Sequence, residues 1–579
     1  MKNSLQINAT GALLVTLLLW GAVPPEAPIA DAAMRGDSET VRSLVAGGAD
    51  VNSAQGDGMT GLHWAAELGD AEIARILIDA HADLDGVTRL GSYTPLHLAS
   101  KNGHTSVALE LLEAGADATS RTSTGAVTPL HFASAAGRDE LVEALIRHGA
   151  DVDARETSWG QTPLMFAASA GRTGAVRALL RAGADHSISA TMIDMVQREA
   201  EDRADQRSSS SRAEQQAPGL LGPQPGTRPE RPEPAQGNQD QPDPDRPPEP
   251  LGHAQLIGGY GGLTALLLAV RDGQAGAALA LVEAGADINQ RSAGDGTTPL
   301  LMATINGHFD LALELLERGA DPNLMSEAGA TPLYTTINTQ WIPKSRHPQP
   351  AAYMQQQASY LDVMKAFLDA GVDPNVRLQK QLWYTTFGSD MLSVDRMGAT
   401  PFWRAAYALD IAAMELLVAY GADPSIPTMN APSRGFGRRG GGGADLSGLP
   451  PAPVGGPAVY PIHAASGVGY GEGYAGNIHR HVPDAWVPAV KYLVEVHGAD
   501  VNARDNDGYS ALHHAAARGD NELILYLVER GADVTVVSRR GQTTVDMANG
   551  PVQRISPFPE TIRLLESLGA KNNHNCVSC

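Results

Sequence analysis

The most reactive side chains of this sequence are two cysteines at the end of the chain, Cys576 and Cys579. Two cysteines separated by two residues can form a readily oxidised dithiol, supply half of a metal site, or match the start of a c-type haem attachment motif. The histidine that completes the haem motif is absent, because His574 precedes the pair and nothing follows Cys579. We therefore expect no cofactor on the chain as written, and haem c only if the motif is truncated. The remaining interpretation is that the two cysteines are incidental and carry no function.

Histidines recur along the chain at one place in a repeating pattern, about one period apart. Because of this spacing, no two of them are expected to converge on one metal ion. A position that accepts quite different side chains in other copies indicates packing rather than catalysis. The histidines are His63, His97, His131, His463 and His513, and the replacements are Met165, Leu267, Leu301, Tyr334 and Trp403.

Two other stretches could bind a ligand. His479 and His481 form an H-x-H pair with His497 nearby, but zinc needs three or four converging ligands, and no cysteine or carboxylate set accompanies them. The glycine-rich stretch 467–473 lacks the strand before it and the helix after it that a phosphate-binding loop requires. No nucleophile elbow, HExxH motif or P-loop occurs. We therefore expect no metal site, no catalytic residue and no enzyme.

A four-residue motif, Thr94-Pro95-Leu96-His97, organises most of the sequence. It returns at Thr128-Pro129-Leu130-His131 and in part at Thr162-Pro163-Leu164, at intervals of 34 residues. Thr94 can accept a hydrogen bond from a free N–H of the first helical turn, and Pro95 suits the first helical position. An apolar stretch follows and ends at Gly103, which can adopt the left-handed cap conformation. Each copy therefore predicts a short helix, and a second one ends at Gly-Ala-Asp.

The motif, its period and the closing Gly-Ala-Asp resemble the ankyrin repeat. About twelve copies, several with insertions, lie between Ala27 and Lys571. The resemblance implies an all-α fold, an ankyrin-repeat solenoid of helix–turn–helix units with finger loops, broken by disordered linkers. It also implies that the motif histidines belong to a hydrogen-bond network between repeats. The residues given this structural role are Thr94, Pro95, His97, Thr128, Pro129, His131, His63 and His513.

Interruptions of the repeats divide the chain into seven predicted segments. The long interruptions are rich in proline, serine or glycine and poor in large apolar residues, so burial cannot offset their chain entropy. The segments are a signal-peptide-like region (1–26), repeats one to five (27–189), a disordered linker (190–258), repeats six to nine with insertions (259–426), a Gly/Pro-rich linker (427–458), repeats ten to twelve (459–571) and a tail with the cysteine pair (572–579).

The charge and the N-terminus bear on location and partners. The net charge of −22 argues against a broad nucleic-acid surface. The apolar stretch 11–23 is too short to span a bilayer comfortably but suits the apolar region of a secretory signal. We therefore expect an exported protein, periplasmic or extracellular, with no membrane contact beyond that signal.

Stacked repeats favour one function, a non-catalytic scaffold that binds a protein partner on its concave surface. The insertion 378–396 holds Trp383, Tyr384 and Phe387, aromatic residue types that are common at interface hot spots, and Trp159 lies in another finger. These four are the candidate partner-binding residues. Alternatively, the insertion folds back as a local cap over repeats eight and nine. We expect a monomer, and the alternative function is a redox-linked or haem-associated periplasmic protein whose cysteine pair carries the chemistry.

Overall fold

The computed structural model describes residues 27–216, 251–344, 349–386, 392, 394–432, 445–471, 476–550 and 556–576. Short paired helices dominate these residues, which agrees with the predicted all-α repeat solenoid. The chain divides into two compact units, one of Met1–Thr191 with Thr264–Ala286 and one of Met192–Leu263 with Asp287–Cys579. Within the described ranges, no helix combines the length and the apolar composition needed to cross a membrane.

The first five repeats each contribute two helices, and all ten lie in the first unit. They are α1 (Pro28–Met34), α2 (Ser38–Ala46), α3 (Gly61–Leu68), α4 (Ala71–Asp79), α5 (Pro95–Asn102), α6 (Thr105–Glu113), α7 (Pro129–Ala136), α8 (Asp139–Arg147), α9 (Pro163–Ser169) and α10 (Thr173–Arg181).

A small antiparallel ribbon and two helices follow, in the second unit. Strand β1 (Met192–Asp194) pairs with β2 (Gly259–Gly261), with Ile193 opposite Tyr260. Between the two strands lie α11 (Met195–Gln216) and α12 (His253–Ile257).

The chain then resumes its helical pairs. The sixth repeat, α13 (Ala265–Arg271) and α14 (Ala275–Glu283), belongs to the first unit. The second unit holds α15 (Pro299–Asn306), α16 (Phe309–Glu317), α17 (Pro332–Gln340), α18 (Tyr360–Asp369), α19 (Trp383–Thr386), α20 (Pro401–Tyr407), α21 (Ile411–Ala419), α22 (Pro461–Ser466), α23 (Trp486–Lys491), α24 (Ala511–Arg518), α25 (Asn521–Glu529), α26 (Thr544–Ala548) and α27 (Pro559–Ser567), with 3-10 turns at Ala352–Gln355 and Gly476–Ile478 and a π-helical turn at Tyr492–Val496.

Local capping explains where the first helix of a repeat begins and ends. In α5 the Thr94 hydroxyl accepts a hydrogen bond from the His97 N–H at 3.3 Å, and Pro95 is the first helical residue. Gly103 ends the helix with φ 71°, in the left-handed region. His81 stands where other repeats have glycine at the end of a second helix, and it adopts the same left-handed backbone with φ 61°. The turn that ends the second helix of this repeat is therefore preserved, although His81 replaces glycine.

Stacking buries the apolar side of each helix. In the first unit, first helices pack on first helices, α5 against α3 and α7, while second helices pack in a parallel layer, α6 against α4 and α8. The finger loops add backbone bonds between repeats, such as the Ser123 N–H to the Gly91 carbonyl at 3.0 Å. Because the helices of these repeats pack on those of the adjacent repeats, the core extends by addition.

The segment predicted as a disordered linker, 190–258, differs from that prediction in its described part. Residues Met195–Gln216 form α11, although their described side chains are mostly exposed. Glu, Arg, Ala and Gln favour helices, and Asp194 accepts from the N–H groups of Val196 and Gln197 at the start. Helix propensity and capping therefore outweigh the lack of an apolar face. Residues 217–250 lie outside the described residues.

Candidate partner-binding surface

The motif histidines lie between successive repeats. His97 Nδ1 is 2.8 Å from the Thr94 hydroxyl, and its Nε2 is 3.2 Å from the Val127 carbonyl oxygen in the next repeat. His131 makes the same pair of contacts, and His63, His463 and His513 likewise reach a carbonyl of the following repeat. Each imidazole thus ties a helix start to the neighbouring finger.

These histidines are fully buried, with consequences for their protonation. Burial lowers the pKa of His97, His131 and His463 to about 4 and that of His513 to about 3, because the low-dielectric interior disfavours the charged ring. The pKa of His63 is also lowered by burial. The rings are therefore neutral at pH 7, with one nitrogen donating and the other accepting.

In the first unit, the residue after the motif histidine is often aromatic and reaches the surface. Trp64, Phe132 and Phe166 are half-buried, and we call these three residues the aromatic row. Phe132 lies 6.0 Å from the Tyr93 ring, and Phe166 lies 5.0 Å from the His131 ring. Phe132 and Phe166 therefore lie beside buried histidines, with Phe132 6.2 Å from the His97 ring, and the aromatic row offers apolar area at the same position of three repeats.

Large apolar side chains on and beside the fingers of the first unit are also exposed. Leu90 is 83% exposed, Val87 is 54% exposed, and Trp159 is 45% exposed. The Trp159 backbone is fixed, because its carbonyl accepts from the Thr191 N–H and its own N–H donates to Glu156. Of the predicted partner-binding residues that the structure describes, Trp159 is the one at an exposed site.

In the second unit, the side chains at the equivalent position of repeats eight and nine are buried. Thr335 and Arg404 are each 1% exposed. The Arg404 Nε donates to Asn338 Oδ1 at 3.0 Å, and its Nη2 donates to the Trp341 carbonyl at 2.5 Å. Arg404 is not among the residues predicted from the sequence. The sequence feature that could have indicated it is a charged side chain at the position where three repeats of the first unit have Trp or Phe.

The insertions of the second unit cover this face. The insertion in repeat ten bonds back to the end of α20, through the His479 Nε2 to the Tyr407 carbonyl at 2.8 Å and the Val482 N–H to the Ala408 carbonyl at 2.9 Å. It also contacts the insertion in repeat eight, where Arg480 donates to the Tyr353 hydroxyl at 2.8 Å. These long-range contacts fold the insertions onto repeat nine.

The H-x-H pair takes part in the same packing. The His479 ring stacks on Tyr407 with centroids 4.3 Å apart, and its Nδ1 lies 3.3 Å from the Tyr470 hydroxyl. The His481 ring lies 4.7 Å from Trp486, whereas His497 packs against Phe402 and Tyr492 instead. Within the described ranges, no group of three His, Cys, Asp or Glu side chains could hold a metal ion.

The finger insertion 378–396 is built into the second unit. Leu378, Leu382 and Val394 are buried in a core cluster with Trp403, against which Tyr384 packs. The ring of Trp383 is half-buried and lies 5.9 Å from the Tyr384 ring. This placement is that of a local cap over repeats eight and nine. Phe387 lies outside the described residues.

The C-terminal tail follows the last finger. The Asn575 side chain donates to the Arg540 carbonyl at 2.8 Å, and the backbone carbonyl of Asn575 accepts from Gln542 Nε2 at 3.3 Å. Cys576 is half-buried and disulfide-bonded. Cys579, the other cysteine of the chain, lies outside the described residues.

Comparison with known families and proteins agrees with this architecture. A family model described as "Ankyrin repeats (3 copies)" matches residues 29–122, 118–190 and 251–337, and a model described as "Ankyrin repeats (many copies)" matches residues 493–548. Together these ranges cover more than half of the chain.

Among the curated proteins, ankyrin repeat and SAM domain-containing protein 6 of Rattus norvegicus is 39% identical over 83 residues, which are 14% of this chain and 9% of that protein. BCL-6 corepressor-like protein 1 of Mus musculus is 43% identical over 56 residues, 10% and 3% of the two chains. Protein phosphatase 1 regulatory subunit 12A of Mus musculus is 35% identical over 72 residues, which are 12% of this chain and 7% of that protein. Each match thus spans less than a tenth of the relative. On the family models and the repeat architecture, the chain belongs to the ankyrin repeat family.

Proposed function

We propose that the chain is a non-catalytic scaffold that binds an apolar segment of a partner protein on the aromatic row and on Trp159 of its first unit. The observation that carries this proposal is the half-exposure of Trp64, Phe132 and Phe166 on the first helices of repeats two, four and five. Large, rigid aromatic side chains contribute much of the energy at protein interfaces and lose little conformational entropy on binding. The name of one relative, a phosphatase regulatory subunit, is consistent with a binding role.

The chemistry of this surface indicates the partner. The first helices that carry Phe132 and Phe166 also have small residues along them or directly after them, including Ala135, Ala136 and Ala170. Small side chains next to aromatic ones leave room for an aliphatic or aromatic anchor from a partner. We therefore propose a partner segment with apolar anchors spaced to reach two or three repeats, and we propose that the protein binds it as a monomer.

Two further proposals concern location and the tail. The apolar stretch 11–23 with Lys2 before it supports export to the periplasm or the exterior. An oxidising compartment would keep the disulfide of Cys576 formed. A redox role of the cysteine pair is the second candidate function, and haem c would require a longer motif.

A peptide library displayed on phage tests the binding proposal. Random twelve-residue peptides are selected on the immobilised full chain, and the enriched peptides are measured against variants by fluorescence anisotropy. We expect aliphatic or aromatic anchors to be enriched, and we expect Phe132→Ala and Trp159→Ala to weaken binding tenfold or more, which is about 1.4 kcal/mol each.

A matched control separates binding from stability. Leu525 is 50% exposed on α25, a second helix of its repeat in the other unit. Leu525→Ala should leave peptide affinity unchanged, and circular dichroism should show all three variants folded. Equal affinity of the wild type, Phe132→Ala and Trp159→Ala for every enriched peptide would refute the proposed surface.

A further inference from the structure

Two buried phenol hydroxyl groups in the second unit have no hydrogen-bond partner. Tyr334 occupies the motif-histidine position of repeat eight and is 1% exposed, and Tyr384 belongs to α19 in the finger insertion. The Oη atoms of both are buried and unpaired. At the equivalent position of repeat three, both ring nitrogens of His97 have partners. Buried polar atoms without partners are uncommon, and a bound water or ion often explains them.

Two buried arginines lie in the same region. Arg396 is 4% exposed and Arg404 is 1% exposed, and their guanidinium carbons lie 5.9 and 5.8 Å from the centroid of the Tyr407 ring. Tyr334 belongs to the same buried core cluster as Tyr407, over whose ring both guanidinium groups lie. Burial raises the pKa of Tyr334, and the positive charges of Arg396 and Arg404 oppose that rise. Both arginines also make other contacts.

The phenols themselves are neutral donors. Burial raises the pKa of Tyr384 well above its ordinary value, and the negative charge of Asp295 adds to the effect. Asp295 is therefore a carboxylate whose charge acts on Tyr384. Its Oδ1 already accepts from the Ser292 hydroxyl at 2.8 Å and the Thr297 N–H at 3.1 Å. Two unpaired O–H donors and two cationic side chains thus belong to one buried cluster or border it.

We propose that this region of the second unit binds a small inorganic anion of about the size of chloride, with the hydroxyl groups of Tyr334 and Tyr384 as hydrogen-bond donors. The charges of Arg396 and Arg404 compensate the negative charge. The surroundings limit the size, because Leu378, Leu382, Val394 and Trp403 pack in the same buried cluster. A buried ion of this kind would also join the finger insertion to repeat eight, since one hydroxyl comes from each.

Thermal unfolding of the full chain tests the proposal with chloride as the probe. Sodium chloride replaces sodium gluconate at constant ionic strength, and melting temperature is recorded for the wild type, Tyr334→Phe and Tyr384→Phe. We expect chloride to raise the wild-type value saturably and each Phe variant to lose at least half of that rise. In gluconate alone, each Phe variant should be as stable as the wild type or more so, since it removes an unpaired hydroxyl.

Tyr509→Phe is the matched control. Tyr509 is also buried, but its hydroxyl donates to Gln542 Oε1 at 2.6 Å. This variant should be less stable than the wild type in both salts and should keep the full chloride response. A chloride response that is absent, or equal in the wild type and both Phe variants, would overturn the proposal and leave water at the hydroxyls.

Crystals soaked in sodium bromide give an independent measurement. An anomalous peak within hydrogen-bond distance of the Tyr334 and Tyr384 Oη atoms supports the proposal when the chloride response is also present. A peak without a chloride response means an adventitious ion only, and it would overturn the proposal. Full occupancy of the site by water at high bromide would overturn it as well.

Discussion

The His97 imidazole and the Val127 carbonyl oxygen, 3.2 Å apart, join repeat three to repeat four inside the core of the first unit. The same contact recurs at His131 and Gln161. The ring must stay neutral to keep its other nitrogen as an acceptor for the Thr94 backbone N–H, at 3.2 Å. Repeat stacking and histidine protonation are therefore linked.

This linkage predicts how stability depends on pH. The folded pKa values of His97, His131 and His463, about 4, lie below the ordinary value of 6.5, so the unfolded chain takes up protons first as pH falls. The free energy of unfolding should be at its full value above about pH 6.5 and should decrease as pH falls toward 4. Urea unfolding at several pH values measures this change. A stability that is constant between pH 7 and 4.5 would contradict it.

Removing one imidazole should reduce both stability and the pH response. His97→Leu leaves the Thr94 N–H without its acceptor and removes the imidazole bond to the Val127 carbonyl, which keeps its bond from the Thr122 N–H. We therefore expect a loss of about 1–3 kcal/mol at pH 7.5 and a shallower decrease toward pH 4. Met165 occupies the same position in repeat five, and Met165→Leu is the control, with an expected loss below about 1.5 kcal/mol. The prediction fails if both variants unfold at the same urea concentration.

The finger insertion should contribute to the core of the second unit. Leu382 is 4% exposed there, so Leu382→Ala removes buried apolar area and leaves a cavity, at an expected cost of about 2–4 kcal/mol. Leu90→Ala, at a surface leucine in a finger of the first unit, should change stability by less than about 0.5 kcal/mol. Calorimetric melting of both variants compares the two sites. Equal melting temperatures would mean that the insertion does not pack on repeats eight and nine.

Asp410 should fix the insertion of repeat eight. Its Oδ2 accepts from Trp341 Nε1 at 2.8 Å and from the Tyr360 hydroxyl at 2.7 Å, and its Oδ1 caps α21 at the Ala413 N–H. Asp410→Ala leaves these donors unpaired, and we expect a loss of about 2–5 kcal/mol in the free energy of unfolding.

The control for Asp410 is Asp37, a half-buried aspartate that also caps a helix but bonds to no insertion. Asp37 accepts from the Thr40 N–H at the start of α2, and Asp37→Ala should cost about 0.5–2 kcal/mol. Chemical denaturation measures both variants. A smaller loss for Asp410→Ala than for Asp37→Ala would show that its bonds to Trp341 and Tyr360 contribute nothing.

The helices of the repeats could be predicted from the sequence because the interactions that begin and end them are local. Thr94, Pro95 and Gly103 set the limits of α5 through capping and backbone preference, and the same residue types recur with the period. The covered face of repeat nine depends instead on contacts such as His479 to Tyr407, 72 residues apart. No local pattern encodes such a contact.

The candidate surface was predictable only in part for the same reason. The sequence placed Trp159 and Trp383 in fingers, but exposure depends on what packs against each finger. Trp159 is exposed because its finger carries no insertion, whereas Trp383 lies in a long insertion that folds onto the core. The unpaired hydroxyl of Tyr334 could not be inferred from the sequence either. A tyrosine at the motif-histidine position indicates packing, but it does not show whether the hydroxyl has a hydrogen-bond partner.

The tail that follows α27 has a consequence for self-association. Asn575 occupies the Arg540 carbonyl and the Gln542 amide of the last finger, and the Lys571 carbonyl accepts from Thr543 at 2.7 Å. Comparable backbone groups of inner fingers are engaged by the next repeat. An unoccupied terminal finger would allow a second molecule to add end to end, in a contact that does not close and so produces filaments. Because the tail itself occupies these groups of the finger, they are not open to such an end-to-end contact.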